Sequence, residues 1–341
     1  MQNEEFSAQL QNLLKTSGAR HAALLVERGG KTVCSMNIRA STASPFLIAS
    51  ITKVITATAV MVLVDQGAVS LDDSIKKYLP EPAQVNADKI TIRHLLTHTS
   101  GLPRHVPDNV DIRKRQGTLR DFYESATNAP LIFNPGSRYS YSNVGYLLLR
   151  QLVERVSNKS LGDFTLNHIF MPLGMTGAAY GLGYNKLRET VMCELDSMKA
   201  YAGTEADEAW NWNSQYWRSL GAPWGGVIAS ARDMIKFMTS FLTLDKHPVL
   251  SRSSAQAMLT NQLERLEKKQ GLGFNLDSSS FPVSAGTSVF GHSGATGVTT
   301  WAHVESGVVF VIFTSRPYSL SKDTIIKPIS KLVFDEFCQV G

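Results

Sequence analysis

Hydrophobic residues follow different spacings at the two ends of the chain and in its middle. Apolar positions within residues 6–17 recur at helical spacing. Two β-rich runs then flank Gly29 and Gly30, which predicts a two-stranded hairpin. Near the other end, glycines separate three further β-rich runs, and a helical pattern extends from Asp323 to Phe337. These runs are SVFGHSG, TTWAHVE and VVFVIFTS.

The middle of the chain is mainly helical in its periodicity, as in VGYLLLRQLVERVSN and ARDMIKFMTSFL. Because predicted strands are segregated from predicted helices, the predicted fold class is α+β. We expect a single domain over residues 1–341, whose sheet is built from both chain ends, at about 18–50 and 265–341. A mainly helical region, at about 51–264, is inserted between them. The order of the strands does not follow from these patterns.

Composition excludes several function classes. The 341 residues are 43% hydrophobic, which allows a large core without a metal or disulfides. The net charge of +5 is small and no basic stripe with interleaved aromatic residues is present, so we expect no nucleic acid partner. Cys34, Cys193 and Cys338 form no C-x-x-C pair, which argues against disulfides and a thiolate metal site. No complete dinucleotide fingerprint occurs, and no cofactor is expected.

The chain carries no pattern of export or membrane insertion. Its N-terminus is acidic and amphipathic, without a basic region followed by an apolar one, so the sequence as written predicts a cytoplasmic protein. The longest apolar stretch, VITATAVMVLV, lies between Lys53 and Asp65 and is shorter than the roughly 20 residues that span a bilayer. We interpret it as a buried helix. The oligomeric state stays open.

Candidate chemistry begins with serines that have a base at fixed spacing, because a serine hydroxyl is a weak nucleophile until a base removes its proton. The pattern S-x-x-K places both side chains on one helix face. Three pairs occur: Ser50 with Lys53, Ser74 with Lys77, and Ser319 with Lys322. The second pair lies in a solvated polar segment, where the lysine stays charged. The third lies in a polar turn with too little chain left to build a site.

Only Ser50 opens a strongly apolar helix. Its hydroxyl would lie near the positive end of the helix dipole, and Lys53 would point into a protected interior. Burial would lower the pKa of Lys53 from about 10.4, so that the neutral amine can act as a base. We therefore predict that Ser50 is the nucleophile.

Two motifs that each occur once offer the other groups of such a mechanism. Tyr141-Ser-Asn143 is a Y-x-N sequence, and His292-Ser-Gly294 is an H-x-G sequence. A phenol can transfer protons, and backbone N–H groups can stabilise an oxyanion. The order S-x-x-K, Y-x-N, H-x-G matches the three-motif layout of the penicillin-recognising enzymes.

Longer segments extend this match, and the chain resembles the serine β-lactamase superfamily. The segments are ITIRHLLTHTSGLP (90–103), NPGSRYSYSNVGYLLL (134–149) and GGVIASARDMIKFM (225–238). Over about residues 20–335 the chain looks like the class C β-lactamase-like and penicillin-binding-protein-like branch, and its motifs are most similar to those of family VIII carboxylesterases. The resemblance implies a β-lactamase/transpeptidase-like fold, in which an antiparallel sheet from both chain ends, flanked by helices, lies beside a helical subdomain.

The resemblance also implies a role for each motif residue. Ser50 would form an acyl-enzyme, with Lys53 as its base or electrostatic activator. Tyr141 would be a second acid/base, with its pKa lowered from about 10 by the nearby ammonium. Asn143 would hydrogen-bond to Lys53 and to the substrate, and the N–H groups of Ser50 and Ala295 would form the oxyanion hole. The other substrate-binding candidates are His292, Ser293, Gly294 and Trp224.

His292 stands where β-lactamases and D,D-peptidases of the superfamily usually have a lysine. A histidine with a pKa near 6.5 is mostly neutral at pH 7 and would hold a substrate carboxylate weakly. The H-x-G form resembles that of esterases and D-aminopeptidases. We therefore expect hydrolysis of small carboxylic esters, with acyl transfer or D-amino-acid peptidase or amidase activity as alternatives. Action on β-lactams or as a D,D-peptidase is less favoured.

Other interpretations of the residues are weaker. His94 and His98 have the spacing of a helical metal pair but lack the Glu of H-E-x-x-H, so we expect structural histidines and no metal. The sequence GHSGA is not the G-x-S-x-G turn of an α/β-hydrolase. A non-catalytic binding protein on the same fold is the alternative of a different class. Loss of the serine, the lysine or the tyrosine would mark it, and all three are present.

Overall fold

The computed structural model describes residues 2–82, 87–195, 208–277, 281 and 288–338. Its strands are β1 (Ala22–Arg28), β2 (Lys31–Ile38), β3 (Phe46–Leu47), β4 (Ala179–Tyr180), β5 (Val227–Ala229), β6 (Val289–Gly294), β7 (Val298–His303) and β8 (Val308–Thr314). Its α-helices are α1 (Gln2–Thr16), α2 (Thr52–Asp65), α3 (Ile92–Leu96), α4 (Asn109–Lys114), α5 (Leu119–Ala126), α6 (Val144–Ser157), α7 (Leu161–Thr165), α8 (Gln215–Leu220), α9 (Ala231–Ser240), α10 (Arg252–Leu259), α11 (Tyr318–Ser321) and α12 (Lys327–Phe337).

The main sheet joins the two ends of the chain. Its five strands are antiparallel, in the order β2-β1-β8-β7-β6. β1 pairs with β8 along its whole length, so a strand near residue 25 lies beside one near residue 311. β1 and β2 form the predicted hairpin, with Gly29 and Gly30 at φ of 57° and 76°. The α+β fold and the antiparallel sheet built from both chain ends are confirmed.

Side chains on the two faces of this sheet enter separate apolar clusters. Leu24 and Ile312 are cross-strand partners and pack into the cluster that includes α1 and α12. Leu25 and Val311 point to the other face and pack with α2, α6 and α9. Because helices cover both faces, β8 is buried at every position, which explains its continuous apolar sequence.

Two local features differ from the expected pattern. A second sheet of three short strands, β3-β5-β4, lies mostly within the region predicted to be helical. The C-terminal helical pattern is divided, because a π-helical turn over Lys322–Ile326 precedes α12. Pro328 lacks a backbone N–H and stands in the first turn of α12, where the regular helix begins.

The longest apolar stretch of the sequence forms α2, and its residues from Thr52 to Leu63 are buried. It is therefore a core helix, packed against α6 and α7. Across the described ranges, no helix has both the length and the apolar character needed to cross a bilayer. All three cysteines are unpaired.

Candidate active site

Ser50 lies in a short 3-10 helix, Ala49–Ile51, that leads directly into α2. Two contacts with β5 hold this turn. The Thr52 hydroxyl accepts a hydrogen bond from the Val227 N–H at 3.0 Å, and the Val227 carbonyl accepts one from the Ile48 N–H at 3.0 Å. Ser50 is half-buried and lines a cavity of about 1110 Å³. Its hydroxyl is thus placed at the start of a buried helix and next to open space.

Lys53 is fully buried, one helical turn after Ser50. Its Nζ atom is 3.5 Å from Ser50 Oγ and donates a hydrogen bond of 2.7 Å to the backbone carbonyl of Trp224. Burial lowers the pKa of Lys53 well below its usual range, and the nearby cation of Arg104 lowers it further. A proton-accepting amine requires a shift in this direction.

The hydrogen bonds of Lys53 differ from those that the resemblance implies. The expected bond to Asn143 is wrong, because Lys53 donates to the Trp224 carbonyl instead. Asn143 is the residue before α6 and lines the cavity. Its Oδ1 atom is buried and has no hydrogen-bond partner in the described part of the chain.

Tyr141 is held by the loop that follows α3. His98 in this loop adopts a left-handed backbone conformation, with φ of 61°. Its carbonyl accepts from the Ser140 N–H at 2.8 Å, and its Nδ1 atom accepts from the Ser142 N–H at 3.1 Å. Its imidazole ring packs on the Tyr141 ring, with centroids 4.4 Å apart. One histidine therefore contacts the tyrosine ring and both of its chain neighbours.

The pKa of Tyr141 is shifted in the direction opposite to the expected one. Lys53 Nζ is 4.7 Å from the centroid of the Tyr141 ring. Burial nevertheless raises the pKa of Tyr141 above its usual range, and this outweighs the opposite effects of a hydrogen bond to Ser50 and of the Arg104 cation. The expectation of a lowered phenol pKa is wrong, because the burial of the phenol itself has the larger effect. Tyr141 is a protonated phenol near neutral pH.

The end of β6 lies against the turn that holds Ser50. A Cβ atom at Gly294 would be 2.6 Å from the carbonyl oxygen of Ile48 and 3.0 Å from the Cβ of Ala49. Only glycine permits so close an approach to the backbone. Ser50 and Ala295, the residue after Gly294, both line the cavity beside this contact.

His292 lies on β6, with its ring centroid 6.4 Å from that of Tyr141. Its Nδ1 atom is 2.8 Å from the carbonyl oxygen of Ser293. Burial lowers the pKa of His292 to about 4, and the charge of Lys53 acts in the same direction. The imidazole is neutral at pH 7, as expected, and provides no permanent cation at this position.

The cavity brings the three predicted motifs together. Apart from the buried Lys53, each predicted site residue lines it: Ser50, Tyr141, Asn143, Trp224, His292, Ser293, Gly294 and Ala295. The Trp224 side chain is 9% exposed and packs against Phe122, with ring centroids 5.5 Å apart. Trp224 therefore lines the cavity and provides a carbonyl to Lys53.

The other two serine–lysine pairs differ in their position, because one lies at the surface and the other lines the cavity. Lys77 is exposed and pairs with Asp73 at 3.1 Å, as the polar surroundings of Ser74 predict. Ser319 and Lys322, in contrast, line the same cavity as Ser50. The expectation that too little chain remains there to contribute to a site is wrong in this respect, because the segment after β8 returns to the cavity.

His94 and His98, which have the spacing of a helical metal pair, make different contacts. The Nδ1 atom of His94 accepts from the Thr91 N–H at 3.3 Å in the cap of α3, whereas His98 packs on Tyr141. Within the described ranges, no group of three or more His, Cys, Asp and Glu side chains is arranged to hold a metal ion. Sequence reasoning missed the contact of His98 with Tyr141, although His98 belongs to the segment HTSGLP that supported the resemblance.

This fold, with a serine beside a buried amine at the floor of a cavity, is typical of penicillin-recognising serine hydrolases. The model of the Beta-lactamase family matches residues 6–331, and the chain belongs to this family. Members of the family are serine hydrolases.

Known relatives include the D-alanyl-D-alanine-carboxypeptidase/endopeptidase AmpH of Escherichia coli K12, which is 29% identical over 269 residues. The match covers 75% of this chain and 66% of AmpH, so the chain spans slightly less than two thirds of that relative. Among solved structures, EstCE1, a hydrolase with promiscuous acyltransferase activity, has a TM-score of 0.79 at 17% identity, covering 97% of this chain and 99% of its own. The D-amino acid amidase of Ochrobactrum anthropi has a TM-score of 0.78 at 20% identity, covering 98% and 99%. These two likenesses show the fold alone.

Proposed function

We propose that this chain is a carboxylesterase that forms an acyl-enzyme at Ser50. The observation that carries the proposal is the 3.5 Å approach of the Lys53 amine to Ser50 Oγ beside a large cavity. The lowered pKa of Lys53 supports its role as the base. Membership of a family of serine hydrolases supports the covalent route.

Acylation begins when Ser50 Oγ attacks the ester carbonyl carbon and its proton passes to the neutral Lys53 amine. The Trp224 carbonyl accepts one N–H of Lys53, which orients the amine. When the bond to the alcohol oxygen breaks, the protonated Tyr141 gives its proton to the leaving alcohol. Lys53 then returns the first proton to Tyr141. Water releases the acyl group by the reverse proton path.

The negative charge that develops on the carbonyl oxygen needs fixed donors. We assign the backbone N–H groups of Ser50 and Ala295 to this role. The close approach of Gly294 to the turn before Ser50 supports the assignment, because it sets the two backbones side by side. Removing one such donor typically lowers turnover about 10²–10³-fold.

Preference for esters over β-lactams rests on His292. A lysine at this position would remain charged and hold a carboxylate placed near β6, whereas the buried imidazole is neutral at pH 7. Ester hydrolysis does not require a cation at this position of β6. His292, Ser293, Asn143 and Trp224 would instead contact the acyl group through neutral polar and aromatic surface.

Acyl transfer to an alcohol or amine is the second candidate. The cavity of about 1110 Å³ exceeds the roughly 300–1000 Å³ of most ligand pockets, which leaves space for an acceptor beside the acyl group. EstCE1, with the same fold, is described as a hydrolase with promiscuous acyltransferase activity. Product analysis with candidate alcohols and amines separates transfer from hydrolysis.

The test compares kcat/KM on short-chain p-nitrophenyl esters with kcat/KM on nitrocefin. We expect higher values on the esters, and a strong preference for nitrocefin would reject the proposal. Intact-mass spectrometry with esters, amides and β-lactams identifies which acyl group is retained, with Ser50→Ala as the control. An unmodified protein that turns over none of them would favour the non-catalytic alternative.

A further inference from the structure

The side chains around the cavity carry an unequal balance of charge. Among the described residues that line it, the cationic ones are Arg104, Arg113, Lys268 and Lys322. The one carboxylate in this described lining is that of Asp277. A cavity with this excess of positive charge attracts anions and raises their local concentration.

Two of these cations have protein partners. The Arg113 guanidinium carbon lies 4.9 Å and 4.2 Å from the ring centroids of Trp210 and Trp217, and the guanidinium donates to the Trp210 carbonyl at 3.2 Å. Lys268 Nζ is 3.2 Å from an oxygen of Asp277. The other two cations of the lining are Arg104 and Lys322.

Arg104 is positioned beside the reacting groups. Its carbonyl accepts from the Asn143 N–H at 3.0 Å, which ties its backbone to the Y-x-N segment. Its guanidinium carbon lies 5.7 Å from the centroid of the Tyr141 ring, and the side chain is exposed to the cavity. Over the described ranges, no carboxylate forms an ion pair with it. Its charge nevertheless reaches Lys53 and lowers the pKa of that amine.

Lys322 approaches the cavity from the other end of the chain. The helix α11 before it is tied to β6, because the Tyr318 N–H donates to the Ala295 carbonyl at 2.9 Å. Lys322 is half-buried. Its neighbour Asp323 pairs with Lys327 at 2.7 Å. Lys322 therefore adds a second cation to the lining of the cavity.

We propose that the substrate of this enzyme is an ester that carries a carboxylate, and that Arg104 binds this carboxylate with Lys322 as a second cation. This inference rests on the proposed ester hydrolysis. A guanidinium can hold a carboxylate through two parallel hydrogen bonds, which a neutral His292 cannot do. The anion is thus recognised next to the Y-x-N segment and not at the H-x-G motif. The carboxylate can belong to the acyl chain or to the alcohol.

Two matched ester pairs test this inference and distinguish the two sources of the anion. For the acyl side, 4-nitrophenyl hemiadipate is compared with 4-nitrophenyl hexanoate, which has the same chain length without the charge. For the alcohol side, 4-acetoxybenzoate is compared with 4-acetoxybenzamide. The ratio of kcat/KM between variant and wild type is measured for each ester, so that the intrinsic reactivity of the esters cancels.

Arg104→Gln should lower kcat/KM by roughly ten- to hundredfold more on the anionic member of one pair than on its neutral member. Arg104→Lys should recover part of this loss. Lys322→Gln should show a smaller selective loss on the anionic ester than Arg104→Gln does. Removing Arg104 also raises the pKa of Lys53, but this effect slows anionic and neutral esters alike. Arg188→Gln, at an exposed arginine outside the cavity lining, should leave both ratios unchanged.

Equal losses on the anionic and neutral members of both pairs would overturn the inference and leave ester hydrolysis standing. If the wild type hydrolyses no ester, the proposed function fails, and binding decides the inference separately. Isothermal titration calorimetry of Ser50→Ala with adipate and with neutral adipamide makes this measurement. Adipate binding that is lost in Ser50→Ala/Arg104→Gln supports anion recognition, and no preference for adipate refutes it.

Discussion

The contact of His98 with Tyr141 leads to a prediction that separates positioning from stability. We consider His98→Leu, which replaces the imidazole with an apolar side chain of similar size. The Ser142 N–H would lose its acceptor, now 3.1 Å away, and the Tyr141 ring would lose the ring packed against it at 4.4 Å. Position 98 would also hold a leucine at φ of 61°.

The structure sets the expected magnitudes. A buried N–H without an acceptor costs about 1–3 kcal/mol. Leucine gains no local hydrogen bond that offsets the left-handed backbone, which adds about 1 kcal/mol. Leucine also removes the buried His98 Nε2 atom, which has no partner among the described residues, so the sum of about 2–4 kcal/mol is an upper value. It corresponds to a fall in Tm of at most about 3–6 °C for a chain of 341 residues. A shift of Tyr141 by about 1 Å would lower kcat about 10²-fold.

The assay combines thermal unfolding, followed by circular dichroism, with kcat and KM on a p-nitrophenyl ester well below the lower Tm. We expect kcat to fall while KM changes little, because Tyr141 acts in proton transfer. His98→Asn should recover much of the loss, since its amide oxygen can accept from the Ser142 N–H and asparagine tolerates the left-handed backbone.

His247 offers a matched control. Its Nδ1 atom also accepts from backbone N–H groups, those of Val249 and Leu250 at 3.2 Å and 3.1 Å, but it lies outside the lining of the cavity. His247→Leu should lower Tm by a similar amount and leave kcat unchanged. The reasoning is refuted if His98→Leu loses stability as calculated and yet retains the wild-type kcat and pH profile.

Three further predictions concern the reacting groups. Activity should rise with pH through the lowered pKa of Lys53, because the amine accepts a proton only above that pKa and Tyr141 must stay protonated; a flat profile between about pH 5 and 9 would contradict this. Ser50→Ala should abolish covalent labelling by a fluorophosphonate, and a persistent adduct would identify another nucleophile. Gly294→Ala should lower kcat about 10²–10³-fold, because its Cβ would press on the Ile48 carbonyl; steady-state kinetics with an unchanged kcat would remove the oxyanion assignment.

Much of the fold could be predicted because its information is local. The glycine pair at the hairpin, the apolar run of α2 and the short β-rich runs each lie within one continuous segment. The short strands β4 and β5 were missed, because two or three residues cannot show a period. The pairing of β1 with β8 joins segments nearly 290 positions apart; the patterns predicted a sheet built from both chain ends but not the order of its strands.

The candidate site was predictable to the extent that its chemistry depends on local spacing. Ser50 and Lys53 are three positions apart, so a helix alone brings them together. The apolar context of α2 also indicated correctly that Lys53 is buried. Reasoning from the neighbouring residues wrongly placed Ser319 and Lys322 outside the site. Nothing near them in sequence indicates that the chain returns to the cavity.

The amino-acid sequence by itself determined the reacting residue types, the local spacing of the serine and lysine, and the apolar helix that carries them. Only the tertiary structure decided that a carbonyl at Trp224 binds Lys53, that His98 packs on Tyr141, and that burial raises the phenol pKa. The physical reason is that backbone carbonyls are chemically alike at every position. Which of them faces a given amine, and how much water remains around a phenol, depend on segments that meet only in the folded chain.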